Sequence, residues 1–240
     1  LGDVYKRQHI IDQAVQLFGV PDAVFADIDT IRTGGMVDDY FVIHLLRPSK
    51  APRVKVTLKS SYLMCEPEPR FILHGTEGSF VKYGLDRQEA DLNDGQMPGT
   101  AFCLTAITER NKNLSKERYP SARIVRSFEE LVALDELELV VINTPDSTHY
   151  EYTRKALEAG KNVIVEKPFT ATAEQGQELV DLARSKGLAI SVYQNRRWDS
   201  DFLTVREILN KGLLGRLVEF ESTFPRYRNF IKPGTWKETG

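Results

Sequence analysis

Cysteine is scarce in this 240-residue chain: Cys65 and Cys103 are the only two. That is too few for a disulfide framework or a thiolate zinc site. It suits a reducing compartment, and a cytoplasmic protein is expected. No apolar run reaches membrane-spanning length, and the opening residues lack the apolar core of a secretion signal. Neither sign of charge dominates: 32 Lys and Arg against 34 Asp and Glu leave a net charge of −2. Such a balance gives no pull toward nucleic acid or an anionic membrane, so neither is expected as a partner. The four histidines show no metal-ligand spacing, and no metal is expected. The glycine loop G-x-G-x-x-G is missing throughout. Its nearest approach, His74-Gly75-Thr76-Glu77-Gly78, lies between two expected strands and reads as a hairpin turn. Without that loop a pyrophosphate lacks its backbone donors and its helix N-terminus.

What is present is ordinary globular composition. Hydrophobic residues at 41% and charged residues at 28% argue against bulk disorder. The length suits one large domain or two modest ones. Residues 23–29, 39–46, 53–62, 70–73 and 79–83 read as strands, separated by glycine and proline turns. Ahead of them Ile10, Ile11, Ala14, Val15, Leu17 and Phe18 recur at helical spacing, with Gly19 placed to end the helix. The block predicts a mostly antiparallel sheet covered on one face by helices. From residue 102 the texture changes. Apolar runs at 102–107, 137–142, 162–165 and 188–193 suit parallel strands buried on both faces. Helical segments at 127–134, 149–159, 173–186 and 202–211 alternate with them. Ser127 with Glu130, and Thr172 with Gln175, form capping boxes, and Gly160 and Gly187 end two helices. Such alternation implies a parallel sheet with right-handed crossovers, hence an α/β fold. A final alternating strand is expected at 216–226.

Three strand ends carry polar residues. Val140 to Ile142 runs into Asn143-Thr144-Pro145-Asp146-Ser147-Thr148-His149. Ligands of open α/β sheets sit outside the carboxyl ends of strands, which makes this loop a candidate ligand contact. A capped turn explains it equally well. Asn162 to Val165 runs into Glu166-Lys167-Pro168. A lysine at such a mouth can hydrogen-bond a substrate hydroxyl and stabilise the alkoxide that precedes hydride loss. On spacing alone, a surface ion pair accounts for Glu166 and Lys167 slightly better. The next strand leads into Gln194-Asn195-Arg196-Arg197-Trp198, and three such ends in succession favour a cleft over coincidence. Upstream, Glu109 and Arg110 follow the strand at 102–107. A carboxylate there grips an adenosine ribose, and a neighbouring arginine takes a 2′-phosphate. The pair leaves NAD and NADP both open, Arg110 and Lys112 tilt toward NADP, and a solvated strand end competes with both. His9, opening the first helix, reads on its own as structural.

With these residues set out, the chain resembles the Gfo/Idh/MocA family of nicotinamide-dependent sugar and polyol dehydrogenases. It looks most like the NADP-dependent scyllo-inositol dehydrogenase branch. The matching stretches are Asn143 to His149, Ala159-Gly-Lys-Asn-Val-Ile-Val-Glu-Lys-Pro168, Tyr193-Gln-Asn-Arg-Arg-Trp-Asp199 and Tyr227-Arg-Asn-Phe-Ile-Lys-Pro233. The resemblance implies hydride transfer between a CH–OH group of an inositol-like polyol or sugar and NADP, with NAD left open. It implies that Lys167 lies between nicotinamide and substrate and that His9 is the acid/base. Asn195 and Arg197 would lie near the substrate. Asn143, Thr144, Pro145, His149, Glu166, Lys167 and Asn195 would line the cofactor, with Glu109 and Arg110 at its adenosine end. A homo-oligomer through the open sheet is implied by analogy only.

The order of the stretches departs from the family. The sheet-domain stretch comes first, as in a circular permutation, and the first strand, glycine loop and first helix expected before residue 102 are missing. The fold expected is thus an incomplete Rossmann-type parallel sheet plus an α+β open sheet. Its parts are 1–101 (sheet domain, first part), 102–198 (dinucleotide domain) and 199–240 (a linker helix and a strand returning to the sheet domain). Removing the central strand leaves a gap between the strands near 102 and 139. Buried unpaired backbone groups cost about 1–3 kcal/mol each, so the second strand must detach, slide across or recruit a partner. The competing reading is a non-catalytic fragment or chimeric chain that has lost cofactor binding.

Overall fold

Alternation along the second strand of the chain decides the first half of the architecture. In a computed structural model, which describes residues 4–84 and 103–231, Phe41, Ile43 and Leu45 are buried while Tyr40, Val42 and His44 are half-buried. That period of two gives one core face to a sheet. The elements are α1 (Val4–Phe18), β1 (Pro21–Asp29), β2 (Tyr40–Pro48), β3 (Lys55–Ser61), β4 (Phe71–Gly75) and β5 (Ser79–Lys82). There follow β6 (Ala106–Thr108), α2 (Leu114–Arg118), β7 (Arg123–Val125), α3 (Phe128–Val132), β8 (Leu139–Ile142) and α4 (His149–Glu158). Last come β9 (Asn162–Val165), α5 (Ala173–Ser185), β10 (Ile190–Val192), α6 (Ser200–Asn210) and β11 (Leu217–Pro225). They fall into two compact units, residues 1–96 with 194–240, and residues 97–193. Residue 102 and the junction before it lie outside the described residues.

In the first unit six strands form one sheet in the order β1-β2-β3-β11-β4-β5. All neighbours are antiparallel except β11 and β3. The late strand β11 thus enters between β3 and β4, and a mostly antiparallel sheet results. Ile10, Ala14 and Phe18 of α1 and Phe202 and Val205 of α6 pack on Phe41, Leu58, Phe71 and Phe220. Phe220 sits at the centre, its ring 4.9 Å from Phe18 and 5.9 Å from Phe71. Burying each such ring contributes roughly 1.5–3 kcal/mol. Gly19 ends α1 with φ of 79°, its N–H bonded to Val15 O at 2.8 Å. A Cβ there would collide with Ser49 Oγ, so both the backbone and the space require glycine. By contrast, β1 is exposed along nearly its whole length.

In the second unit β8, β9 and β10 make a three-stranded parallel sheet, and β6 and β7 a separate two-stranded one. A doubly wound sheet is ordered 3-2-1-4-5-6. The strands β7-β6 and β8-β9-β10 supply its positions 3-2 and 4-5-6. Among the described residues nothing pairs with the outer edges of β6 or β8, so the second strand has detached with the third as its partner. The strand β7 and helix α2, only three and five residues long, carry no periodicity that sequence reading could use.

The apolar runs are buried on one face rather than both. Val140, Ile142, Val163 and Val165 are at most 2% exposed against α4 and α5, whereas Val141 is 59% exposed. The reason is topological: right-handed crossovers running one way along a sheet put their helices on one side. The opposite side would be covered by helices that follow strands beyond the gap. The caps form as expected. Ser127 Oγ accepts from Glu130 N at 3.1 Å, Thr172 Oγ1 from Gln175 N at 3.3 Å, and Gly160 and Gly187 have positive φ. No described helix is long and apolar enough to cross a membrane.

Candidate functional site

The carboxyl ends of β8 and β9 are tied to each other. Glu166 N–H donates to Ile142 O at 2.8 Å, and Tyr193 N–H to Val165 O at 2.8 Å. Beyond β8 the loop folds on itself: Thr148 Oγ1 donates to Pro145 O at 2.6 Å and lies 2.7 Å from Thr144 Oγ1. His149 opens α4, is 1% exposed and spans two loops, with Nε2 2.9 Å from Thr144 O and Nδ1 2.6 Å from Pro168 O. Its ring thereby fixes the loop after β8 against the loop after β9. Asn143 and Pro145 remain exposed at the tip.

After β9 come Glu166 and then Lys167, joined to Pro168 by a cis peptide bond. Lys167 is 4% exposed. A lysine is almost never so buried without a purpose, because its ammonium must be compensated. The surface ion pair read from spacing is therefore not what the fold builds. Burial also pushes the Glu166 carboxyl above the usual carboxylate range, with the Lys167 amide and His149 acting the other way. The strand ends thus bring together Asn143, Thr144, Pro145, His149, Glu166 and Lys167, all within one unit.

Glu109 and Arg110 follow β6 in the smaller sheet of the same unit. Glu109 Oε1 accepts from Ser115 N at 2.6 Å, and hydrogen bonding to Ser115, through its side chain first and then its backbone, holds the carboxyl below the usual range. It therefore serves the start of α2, while Arg110 is exposed. A hollow of about 500 Å³ lined by Arg123, Val125, Glu130 and Glu136 contains none of the predicted site residues.

The remaining candidates belong to the first unit. His9 lies on α1, 4% exposed. Burial, then the charges of Arg196 and Arg70, lower its pKa to about 4, so the imidazole is neutral at pH 7. Asn195 and Arg197 sit on a 3-10 turn (Asn195–Trp198) ahead of α6. Arg197 forms a two-point ion pair with Asp12, Nε to Oδ2 at 2.7 Å and Nη2 to Oδ1 at 2.5 Å. Gln13 Nε2 donates to Arg196 O at 2.7 Å. Sequence reading missed Asp12, Gln13 and Arg70, since no local pattern joins residues so far apart in the chain. Among the described residues no cluster of His, Cys, Asp or Glu could hold a metal.

Comparison with known proteins interprets these strand ends. Residues 83–194 match the family described as "Oxidoreductase family, NAD-binding Rossmann fold", and residues 8–81 match the "GFO/IDH/MocA C-terminal domain". The chain belongs to the Gfo/Idh/MocA oxidoreductase family. The C-terminal-domain match precedes the Rossmann match, which is the permuted order expected from the sequence. The chain is 46% identical over 136 residues to the uncharacterized oxidoreductase C115.03 of Schizosaccharomyces pombe, covering 57% of this chain and 37% of that protein. It is 39% identical over 132 residues to the NADP(+)-dependent scyllo-inositol 2-dehydrogenase IolW of Bacillus subtilis, covering 55% and 36%. A Bacteroides fragilis protein whose crystal structure is described as an oxidoreductase superposes with a TM-score of 0.53 at 71% identity, covering 54% and 38%. The chain spans only a little over a third of each of these proteins.

The dinucleotide implied by the family fits the described residues in part. A pyrophosphate needs a glycine-bearing turn at a helix N-terminus. The turns that lead from β6, β7, β8 and β9 into helices contain no glycine. Asn143, Thr144 and Pro145 follow β8 and Glu166 and Lys167 follow β9, but no described turn cradles the phosphates.

Proposed function

We propose that this chain is part of an oxidoreductase that moves a hydride between a CH–OH group of an inositol-like polyol or sugar and NADP, with NAD the second candidate. The observation that carries the reading is Lys167, buried at the carboxyl end of β9 beside Glu166. Its ammonium donates to the substrate alcohol and stabilises the oxyanion as the hydroxyl proton leaves. His9, neutral at pH 7, has the lone pair to take that proton. Asn195 and Arg197 orient the polyol. Asn143, Thr144, Pro145 and Glu166 line the nicotinamide side, held by the His149 bridge, and Glu109 with Arg110 serves the adenosine end. The family's name for the Rossmann region supports the nicotinamide cofactor, and the 39% identity to a scyllo-inositol dehydrogenase supports the substrate class.

A second reading, a non-catalytic chain, is favoured by the separation of β6-β7 from β8-β9-β10 and by the glycine-free turns. One experiment divides the two. The chain is assayed for polyol-dependent NADP reduction as it stands, and with a strand, glycine turn and helix placed ahead of β6. The dehydrogenase reading expects turnover once that unit is supplied, and its loss with Lys167→Met. Silence in the supplemented protein overturns it, and turnover by the unsupplemented chain overturns the non-catalytic reading. Self-association through the open sheet belongs to the same proposal, supported by exposed Val24, Phe25 and Ile28 on β1. Sedimentation should show an oligomer that Phe25→Lys dissociates, and a monomeric wild type removes that part.

A further inference from the structure

We propose that Arg70 is a positioning residue for the first unit's share of the candidate site, fixing through Gln13 the turn of Asn195 and Arg197 against the helix of His9. Arg70 immediately precedes β4, is 2% exposed and lies more than 50 residues from every predicted site residue except Glu109 and Arg110. A guanidinium so buried must place its N–H groups with care. Nη1 donates to Ser222 Oγ at 2.8 Å and Thr223 O at 3.0 Å, both on β11. Nη2 donates to Gln13 Oε1 at 3.0 Å. Nε lies 3.8 Å from Asp201 of α6, and the group stacks on Phe71 and Phe224 at 4.5 and 5.1 Å. One cation thus joins β11, α6 and α1.

Gln13 is the transmitting residue. With Oε1 held by Arg70, the amide cannot flip, and Nε2 is left to donate to Arg196 O at 2.7 Å. The neighbouring Asp12 clasps Arg197. Two consecutive residues of α1 therefore hold two consecutive residues of the turn, one helical turn beyond His9. Arg196 itself stacks on Phe224 at 5.4 Å and pairs with Asp199 at 3.0 Å, so the same aromatic ring carries both arginines. Of the charged groups acting on His9, Arg196 comes from the turn and Arg70 from just before β4, while Asp201 of α6 faces Arg70. Both cations favour the neutral imidazole. Arg70 consequently acts on geometry through Gln13 and on charge through space, although it is not itself among the reacting groups.

The inference rests on reading His9 and Asn195 as site residues, but its test needs no turnover. The protein, Gln13→Leu, Arg70→Lys and Arg70→Met with Asp201→Asn are compared by two measurements. The first is limited trypsin cleavage after Arg196 and Arg197, with cleavage after Arg154 on α4 as the internal standard. The second is the NMR titration of His9. Gln13→Leu should speed cleavage at 196–197 severalfold, leave cleavage at 154 unchanged, and leave the His9 midpoint low. Arg70→Lys should free the turn while keeping that midpoint low. The Arg70→Met, Asp201→Asn pair should free the turn and move the midpoint up toward the ordinary histidine value. Faster cleavage at every site alike, no change at 196–197, or a His9 midpoint that ignores the loss of Arg70 overturns the proposal. Failure of the supplemented chain to oxidise polyols bears on the proposed function alone and leaves both readouts unaffected.

Discussion

The two units differ in how they complete a sheet. In the first, β1 to β3 and β4 to β5 are antiparallel neighbours joined locally, and β11 is the one strand brought from far along the chain. The result is continuous over six strands. In the second, each parallel neighbour is reached through a crossover, and among the described residues one unfilled central position divides the strands into sets of two and three. Antiparallel pairing is forgiving because each hairpin supplies its own partner, whereas a parallel sheet depends on strands from elsewhere. Core size follows. The first unit centres on Phe18, Phe41, Phe71, Phe202, Phe220 and Phe224, and the second mostly on smaller aliphatic residues between α4, α5 and one face of β8 to β10, with Phe128 its one buried phenyl ring among the described residues.

The largest test of this contrast is truncation of each core. Phe220→Ala should cost about 4 kcal/mol and Leu179→Ala about 2–3 kcal/mol, measured by urea denaturation. Both side chains are fully buried, so the ranking expresses the larger rings that fill the first core, and equal costs would break it. Next in size is acid sensitivity. His9 is neutral in the fold, with its pKa lowered from 6.5 to about 4, while the unfolded chain protonates it near 6.5. Unfolding therefore takes up a proton between those values. The stabilisation is complete above pH 6.5 and is lost as pH falls toward 4, by about 3 kcal/mol. Denaturation midpoints from pH 7 to 4 should show that slope, and His9→Gln should flatten it; a slope indifferent to the substitution places the acid sensitivity elsewhere. Smaller again are the caps of the second unit. Ser127→Ala and Thr172→Ala should each lower stability by about 1 kcal/mol, because each hydroxyl accepts from a backbone N–H of the first turn. Smallest is the exposed pair of Arg154 and Glu158, where Arg154→Ala should leave the urea midpoint essentially unchanged.

Much of the fold was legible in local pattern. The period of two in β2 and β3, the capping boxes at Ser127 and Thr172, and the positive-φ glycines at 19, 160 and 187 all announce their structure within a few residues. The carboxyl ends of β8 and β9 were legible as strand ends for the same reason, since an apolar run breaks there into Asn143 and into Glu166-Lys167. What stayed hidden was contact at long separation or in very short segments. The five residues of α2 and three of β7 are too brief to show a period, and the hydrogen bond from Ser115 N to Glu109 had no local signal. His149 looked like a cofactor contact, while its ring spans two backbone carbonyls 5 and 19 residues away.

The amino-acid order by itself determined the elements, the two textures, the permuted family order and the lack of a glycine cradle, because each depends on neighbours within a turn or a strand. Only the tertiary structure decided that Lys167 is buried, that β6 joins β7 apart from β8, and that Arg70 reaches Gln13 across 57 positions. Burial and charge compensation are properties of what surrounds a side chain in three dimensions, and no local spacing encodes them.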